Sequence, residues 1–297
     1  MVINEIMNEL KDKEIINSSS ISCEPLSGGT VSELYLLTTL DGARYVVKLN
    51  ESHVLQSEVH FLACYKHLDL LPHLLYVDPS YQYIVYTFIS GSTNGPKSKR
   101  DMLKVLVQGL INNYTPVPIG SGWGWVDDVT DSWEQFLLSE VNEANTFVNS
   151  HLGEGESIFV RNLVKKKGRA GLDRKAVLLH GDCGVHNFIF EDGDLKGVID
   201  PTPVIGEPLY DLLYAFCSSS DDLTKETILS AANPILIKEN ISEQLLFEDV
   251  FIVLYLRLAI CSRHHPDDLP NYLDAFFTGR RSSQKHIIAL PMTNKEI

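Results

Sequence analysis

Cysteine is scarce in this sequence, and its spacing predicts neither a metal site nor a disulfide framework. The five cysteines are odd in number, lie far apart and include no CxxC pair. Closely spaced pairs are the usual mark of a zinc site, and an even set in a short secreted chain is the mark of disulfides. We therefore expect free thiols, and we interpret Cys183 as a small spacer residue rather than a nucleophile.

The sequence also lacks a secretory signal and a membrane-spanning run. The N-terminal segment MVINEIMNELKDKEII has no basic start and no long apolar core, and its pattern predicts an amphipathic helix. The most apolar window, Val250 to Ile260, is interrupted by Arg257 and is shorter than the roughly 20 residues that cross a bilayer. We expect a cytoplasmic protein that does not bind membranes.

Positive charge is in short supply. The chain of 297 residues has 25 Lys and Arg against 39 Asp and Glu, a formal net charge of -14. This balance argues against nucleic-acid binding through a basic face and is compatible with a cationic substrate. The basic stretch at 161–175 we interpret as a helix end and a solvated loop. Nothing in the sequence indicates an obligate protein partner.

The segment at 176–214 carries the most specific pattern in the chain. An apolar run leads into the tripeptide HGD at 180–182, and Asn187 follows five residues after Asp182. A short strand, an acidic turn and a return strand predict a β-hairpin that ends at Asp200. Two carboxylates and an amide oxygen are hard ligands, which suit Mg²⁺ and not a soft metal. A plain acidic hairpin on the surface is the alternative.

This pattern resembles the aminoglycoside phosphotransferase-like kinases, small-molecule relatives of the protein kinases. The resemblance implies an α+β fold of two lobes, a small antiparallel-sheet N-terminal lobe and a mainly helical C-terminal lobe. It implies that Asp182 is the catalytic base, and that Asn187 and Asp200 bind the Mg²⁺ of bound ATP. The choice between ATP and GTP stays open.

The same resemblance extends to the residues after Asp200. Pro201 and the segment at 206–212 are similar to the family, in which the aspartate corresponding to Asp211 holds the catalytic loop. Gly181 stands where many protein kinases have an arginine, and little room exists for an activation loop before Gly206. Both features favour a small-molecule acceptor over a protein substrate. We expect His180 to support the loop rather than to transfer protons.

Residues 1–90 are expected to form the nucleotide-binding lobe. Alternating apolar positions and an Asp-Gly turn at 21–49 predict a strand hairpin followed by a third strand. Gly28 and Gly29 lie between the first two strands, where backbone amides could approach phosphates closely.

Lys48 ends the third predicted strand, about where the family has its phosphate-binding lysine. That lysine needs a carboxylate to fix its direction. Glu58, on a helix predicted at about 54–67, is the preferred partner, and Glu51 is the alternative.

A linker rich in turn-forming residues at 90–96 is the predicted boundary between the lobes. By resemblance, the backbone from Phe88 to Ser90 would meet the adenine ring there. Residues 91–297 would then form the helical lobe with the catalytic hairpin and the substrate site.

One segment offers a weak clue to the substrate. All three tryptophans lie at 123–133, and eight acids but no Lys or Arg lie at 121–160. Such a segment could bind a polyhydroxylated or cationic substrate, or it could be a packed insertion with solvated acidic helices.

The sequence therefore predicts an ATP- and Mg²⁺-dependent O-phosphotransferase that acts on a small hydroxylated molecule. An aminoglycoside or another antibiotic is one candidate acceptor, and sugars, choline-like and homoserine-like compounds remain open. The alternative from a different class is a nucleotide-binding module without catalysis.

Overall fold

A computed structural model of the chain describes residues 3–16, 21–26, 32–166 and 175–283. Within these ranges, a five-stranded sheet with two helices precedes a mainly helical region. The helices are α1 Ile3–Asp12, α2 Ser52–Cys64, α3 Lys99–Gly109, α4 Trp133–Val148, α5 Glu154–Val164, α6 Leu209–Cys217, α7 Lys225–Lys238, α8 Glu243–His264 and α9 Leu269–Ser283. The strands are β1 Ile21–Pro25, β2 Glu33–Thr39, β3 Arg44–Leu49, β4 Leu74–Val77, β5 Tyr83–Thr87, β6 Trp123–Trp125, β7 Asp128–Thr130, β8 Val177–Leu179, β9 Phe188–Glu191, β10 Asp194–Val198 and β11 Val204–Gly206.

The five-stranded sheet is antiparallel with the order β1-β2-β3-β5-β4. Alternate residues of a strand point to opposite faces, so each strand can support two helices. Val47 and Val85 share one buried cluster with Ile6 of α1. Val46 belongs to a second cluster with Leu55 of α2. The sheet is therefore covered by α1 on one side and by α2 on the other.

Helix α8 lies at the centre of the helical region. It buries apolar side chains on every side, among them Phe251, Tyr255 and Leu258, as expected for a helix that is apolar around its whole circumference. It packs against α4, α5, α6 and α9. Despite this apolar character, none of the helices in the described ranges has the length and hydropathy needed to cross a membrane.

Two small sheets complete the helical region. Strands β9 and β10 form the predicted hairpin, whose turn residues Asp192 and Gly193 both have positive φ, at 50° and 77°. Residues 120–128 contain β6 and lead into β7. These two strands belong to a four-stranded sheet with the order β7-β6-β11-β8. Strands of three residues are too short for periodicity to reveal them.

The segment predicted as a linker pairs directly with the catalytic hairpin. The backbone N–H of Ser92 donates to the carbonyl of Phe190 (2.8 Å), and the N–H of Phe190 donates to the carbonyl of Ser92 (2.7 Å). Gly91 has a φ of +145°, and a Cβ there would lie 2.5 Å from the same carbonyl oxygen. The junction thus requires glycine both for its backbone conformation and for its close approach to β9.

We expect the substitution Gly91→Ala to destabilise the protein more than Gly95→Ala. Both glycines have positive φ, which costs alanine about 1–2 kcal/mol. At Gly91 the new methyl group also meets the Phe190 carbonyl, which adds about 1–3 kcal/mol, whereas nothing lies within 4 Å of a Cβ at Gly95. Urea unfolding of both variants measures the difference. Equal losses in the free energy of unfolding of the two variants would contradict the close contact between residue 91 and the Phe190 carbonyl.

Candidate functional site

Lys48 and Glu58 form a buried ion pair. The Nζ atom of Lys48 lies 2.6 Å from Oε2 of Glu58 and also pairs with a carboxylate oxygen of Asp200. Lys48 is 3% exposed and Glu58 is 1% exposed. The alternative partner, Glu51, is exposed and lies 3.5 Å from His53 instead. Helix α2 faces the side of β3 on which Lys48 lies, which explains why Glu58 is the carboxylate that reaches it.

The two carboxylates keep Lys48 charged. Burial lowers the pKa of the Lys48 ammonium, but the attraction of Glu58 and Asp200 outweighs burial and raises the pKa above its ordinary value. A charged amine held in one direction is suited to binding phosphate oxygens.

The HGD tripeptide is closely joined to the end of the catalytic hairpin. The N–H of Thr202 donates to the carbonyl of His180 (2.9 Å). Gly181 has a φ of +82°, and a Cβ there would lie 1.8 Å from the Thr202 carbonyl oxygen, so no larger residue fits. The Nε2 of His180 donates to the carbonyl of Ile199 (3.0 Å). His180 thereby anchors the residue that precedes Asp200.

His180 is held neutral, because burial lowers its pKa by more than the neighbouring carboxylates raise it. Its Nδ1 atom is buried without a hydrogen-bond partner among the described residues. This geometry is that of a support for the loop, as we expect from the sequence.

Asp211 fixes the backbone of the same loop from beneath. It is fully buried in α6 and accepts hydrogen bonds from the backbone N–H groups of His180 (2.8 Å) and Gly181 (3.0 Å). The hydroxyl of Tyr114 donates to it as well. A carboxylate with three donors can stay buried, and it restricts the loop to one conformation.

Asp182 follows this rigid turn and is partly exposed. Its Oδ2 atom accepts hydrogen bonds from Nδ2 of Asn187 (2.9 Å) and from Nε2 of His186 (3.1 Å), and the hydroxyl of Tyr214 of α6 lies near the carboxylate. Burial raises the pKa of this carboxyl group, but the hydrogen bonds from His186 and Tyr214 outweigh burial and lower it. Asp182 is therefore ionised at neutral pH, as a proton acceptor must be.

Asn187 and Asp200 have the donor atoms that a magnesium site requires. The amide nitrogen of Asn187 is bonded to Asp182, which leaves its amide oxygen as the atom for a cation. One carboxylate oxygen of Asp200 pairs with Lys48, and the second remains. Among the described residues, no group of three or more His, Cys, Asp or Glu side chains could hold a metal ion. Mg²⁺ commonly uses one or two protein ligands and completes its shell with phosphates and water, so this pair fits.

The backbone of Asp200 is unusual. Its φ of +62° lies in the left-handed region, which residues other than glycine seldom adopt, although aspartate is among those that tolerate it. Such conformations concentrate at functional sites, because they aim a side chain that a relaxed strand end would direct elsewhere.

The remaining predicted residues lie at the lobe junction or outside the described ranges. Gly28 and Gly29 lie outside the described residues. The guanidinium of Arg44 stacks over the ring of Phe88 (4.5 Å) and donates to the hydroxyl of Ser90. The backbone N–H of Phe88 already donates to the carbonyl of Arg44 (3.1 Å), so a nucleotide base would have to use other backbone groups of this segment.

The tryptophans of the acidic segment pack against one another and against the helices. Trp133 stacks on Phe136 at 5.0 Å between ring centroids and meets Tyr210 edge-on at 5.3 Å. Trp125 meets Phe136 edge-on, at 5.8 Å between ring centroids. For these rings the contacts favour a role in packing.

Sequence reasoning missed two residues that contact Asp182. His186 lies inside the motif, four residues after Asp182, and this short spacing could have indicated the contact between the two side chains. Tyr214 reaches the loop from α6, and nothing in the sequence pairs it with Asp182.

Comparison with known proteins supports the resemblance. Residues 137–233 match the model of a phosphotransferase enzyme family, a segment that includes the HGD tripeptide, Asn187, Asp200 and Asp211. No curated protein sequence matches the chain. The family match supports the prediction of a small-molecule phosphotransferase that acts on a hydroxyl group.

Solved structures show the same fold at low sequence identity. A putative fructosamine-3-kinase from Thermobifida fusca is 13% identical, with a TM-score of 0.62 over 90% of this chain and 98% of that one. The streptomycin–ATP complex of APH(2″)-IIa is 15% identical, with a TM-score of 0.55 over 94% and 97%. The GDP and kanamycin complex of APH(2″)-IIia is 13% identical, with a TM-score of 0.57 over 96% and 100%. These comparisons confirm the predicted resemblance and the two-lobe kinase-like fold.

Substitution of Glu58 tests the buried ion pair. We expect Glu58→Gln to lower the free energy of unfolding by about 3 kcal/mol, because Lys48 then keeps a buried charge with one carboxylate fewer. Glu51→Gln is the matched control, and we expect it to change stability by less than about 0.5 kcal/mol because Glu51 is exposed. Denaturant unfolding measures both. An unchanged free energy of unfolding in Glu58→Gln would show that the ion pair does not stabilise the protein.

Proposed function

We propose that this protein transfers the γ-phosphoryl group of ATP to a hydroxyl group of a small molecule in the cytoplasm, with Mg²⁺ as the metal ion. The observation that carries the proposal is the ion pair between Lys48 and Asp200. These residues are 152 positions apart in the chain, yet their side chains meet. The pair joins Lys48 of the sheet to the end of the hairpin. Asp182 and Asn187 directly precede that hairpin in the chain.

In this proposal Asp182 accepts the proton of the acceptor hydroxyl. The new bond forms between the acceptor oxygen and the γ-phosphorus as the bond from that phosphorus to the β–γ bridging oxygen breaks, and ADP leaves. The lowered pKa of Asp182 is compatible with this role, because phosphoryl transfer depends more on positioning than on a strong base. Its hydrogen bonds from Asn187 and His186 orient the carboxylate.

Lys48 would bind the phosphates, and Asn187 and Asp200 would hold Mg²⁺. The bound metal ion would neutralise charge on the transferring phosphoryl group. Lys48 is already directed at this point by Glu58, so nucleotide binding needs no rearrangement of a long flexible side chain.

The nucleotide would lie between an N-terminal lobe of residues 1–90 and a C-terminal lobe of residues 91–297. Gly28 and Gly29 would approach its phosphates, and the backbone from Phe88 to Ser90 would meet its base. ATP is the first donor to test and GTP the second, since solved relatives contain ATP or GDP.

The acceptor would be a small hydroxylated compound, and neither a protein nor a nucleic acid. Aminoglycosides are the first class to test, because structural relatives bind streptomycin and kanamycin. Sugars and choline-like or homoserine-like compounds are the further candidates. A nucleotide-binding module without catalysis is the second candidate function, and the intact set of Lys48, Asp182, Asn187 and Asp200 disfavours it.

Replacement of Asp182 tests the catalytic base. We expect Asp182→Asn to lower the rate of ADP release with an acceptor by about 10²- to 10⁴-fold, the usual contribution of general base catalysis. The affinity for ATP should change little. Asp192→Asn, at the tip of the hairpin, is the matched control and should keep the rate of the unaltered protein.

A normal rate in Asp182→Asn would remove this residue from catalysis. ATP binding without turnover across a broad panel of hydroxyl compounds would favour the binding module.

Replacement of Asp200 and Lys48 separates the metal role from the phosphate role. In Asp200→Ala we expect the gain in ATP affinity that Mg²⁺ provides to be lost, together with metal-dependent transfer. In Lys48→Ala we expect weaker ATP binding both with Mg²⁺ and with EDTA. Calorimetric titration of ATP under the two conditions distinguishes these patterns. An unchanged Mg²⁺ effect in Asp200→Ala would contradict its metal role.

A further inference from the structure

The imidazole ring of His186 lies between Gly184 and the carboxylate of Asp182. Its Nε2 atom is 3.1 Å from Oδ2 of Asp182, and its side chain is 53% exposed. We infer that Gly184 holds this ring in place, and that the held ring positions the Asp182 carboxylate so that Oδ1 faces the acceptor hydroxyl. The inference rests on the proposed phosphotransferase function and adds two positioning residues to it.

Two side chains of the loop bind the same oxygen of Asp182. Nδ2 of Asn187 (2.9 Å) and Nε2 of His186 (3.1 Å) both lie at Oδ2. An ionised carboxylate only accepts hydrogen bonds and has room for about two at each oxygen, so both nitrogens donate and they fill Oδ2. Neither of these bonds uses Oδ1. The acceptor hydroxyl must also donate a proton, and Oδ1 is the oxygen that these two donors leave for it.

The loop fixes Asn187 more firmly than it fixes His186. Nδ2 of Asn187 donates to the backbone carbonyl of Asp182 as well as to its carboxylate (2.9 Å each), and Asn187 is buried. The ring of His186 is half exposed, and within the described part of the chain its one hydrogen bond is the bond to Asp182. An exposed side chain can change rotamer at little cost, so His186 needs a further contact to stay at Asp182.

Gly184 provides that contact because it has no side chain. Its φ of -100° and ψ of 161° are open to any residue, so the backbone conformation does not require glycine. A Cβ at this position, however, would lie 2.5 Å from Cε1 and 2.7 Å from Nδ1 of His186. Glycine is therefore required by the ring, which packs directly on the backbone at this position.

The backbone at Gly184 cannot move away from the ring. Its N–H donates to the carbonyl of Asp182 (2.9 Å), and its carbonyl accepts from the N–H of Asn187 (2.9 Å). The next residue, Val185, donates its N–H to the hydroxyl of Ser218 on the neighbouring segment (3.1 Å). The ring thus rests on a rigid surface on one side and bonds to the carboxylate with its Nε2 atom.

Kinetics of His186 variants are the first test. ADP release with Mg²⁺ and ATP is measured with kanamycin, streptomycin, D-glucose, D-ribose, choline and L-homoserine, and the acceptor of highest turnover is kept. We expect His186→Ala to lower kcat by about 10- to 100-fold, the cost of a misplaced reacting group, and to leave the KM for ATP unchanged.

Two further variants show whether the bond to Asp182 is the cause. His186→Gln should recover part of the lost kcat, because its side-chain amide can donate to the carboxylate. His53→Ala is the matched control, since His53 is also half exposed and lies 3.5 Å from the carboxylate of Glu51. It should keep the kcat of the unaltered protein.

A double-variant cycle tests the role of Gly184. We expect Gly184→Ala to displace the ring and to lower kcat about as much as His186→Ala does. In the double variant the new methyl group meets no imidazole, so kcat should fall no further than in either single variant, whereas independent effects would multiply to about 10²- to 10⁴-fold. The methyl group also lies 3.2 Å from Tyr214, but it does so in both backgrounds. Gly155→Ala, where nothing lies within 4 Å of a Cβ, is the control.

The outcomes separate this inference from the proposed function. An unchanged kcat in His186→Ala, a raised acceptor KM in its place, or multiplying effects in the cycle would overturn the inference and leave the phosphotransferase intact. Absence of turnover in the unaltered protein with every acceptor would overturn the proposed function itself. The His186 variants alter an exposed side chain, so they decide the question even if Gly184→Ala does not fold.

Discussion

The ion pairs of Lys48 are the constraint on which the site depends. Lys48 is buried in the small sheet, and its charge is compensated by Glu58 of α2 and by Asp200 of the catalytic hairpin. A buried charge that loses its partners costs several kcal/mol, roughly 3–5 by comparison with other buried pairs. The sheet, helix α2 and the hairpin therefore have one arrangement that satisfies all three charges. The same arrangement brings the phosphate-binding and metal-binding groups of the proposed reaction together.

A second, separate set of bonds holds the catalytic loop. Asp211 accepts two backbone N–H groups of the HGD turn, and Gly181 allows that turn to lie against Thr202. His180 then connects the turn to Ile199, directly before Asp200. These contacts are buried and involve no atom that a substrate would need. The loop is thus rigid beneath Asp182, whose carboxylate is partly exposed, and the proton acceptor of the proposed reaction would work mainly through such positioning.

The sequence predicted those parts of the site that lie in local patterns. The spacing from Asp182 to Asp200 and the hairpin between Phe188 and Val198 follow from a compact motif and strand alternation. The pairing of Lys48 with Glu58 rests on the resemblance to the family, and helical spacing only places Glu58 on the next helix. The approach of Tyr214 to Asp182 could not be predicted in this way, because it arises where α6 meets a loop that is distant in the sequence. The strands β6 and β11 were missed for a related reason: each has three residues, and their pairing joins segments about 80 positions apart.

Net charge is a poor guide to the acceptor of such an enzyme. The chain carries a formal charge of -14, but exposed charges more than about 8 Å apart are largely screened at physiological ionic strength. A half-buried charge is screened far less, so the groups next to Asp182 have more influence on what could bind there than the many carboxylates on the surface. In the proposed reaction, the sheet and the hairpin would bind the nucleotide, whereas the surroundings of Asp182 would bind the acceptor. Within this one fold, a different acceptor would therefore require changes only around Asp182, while Lys48, Asp182 and Asp200 stay as they are.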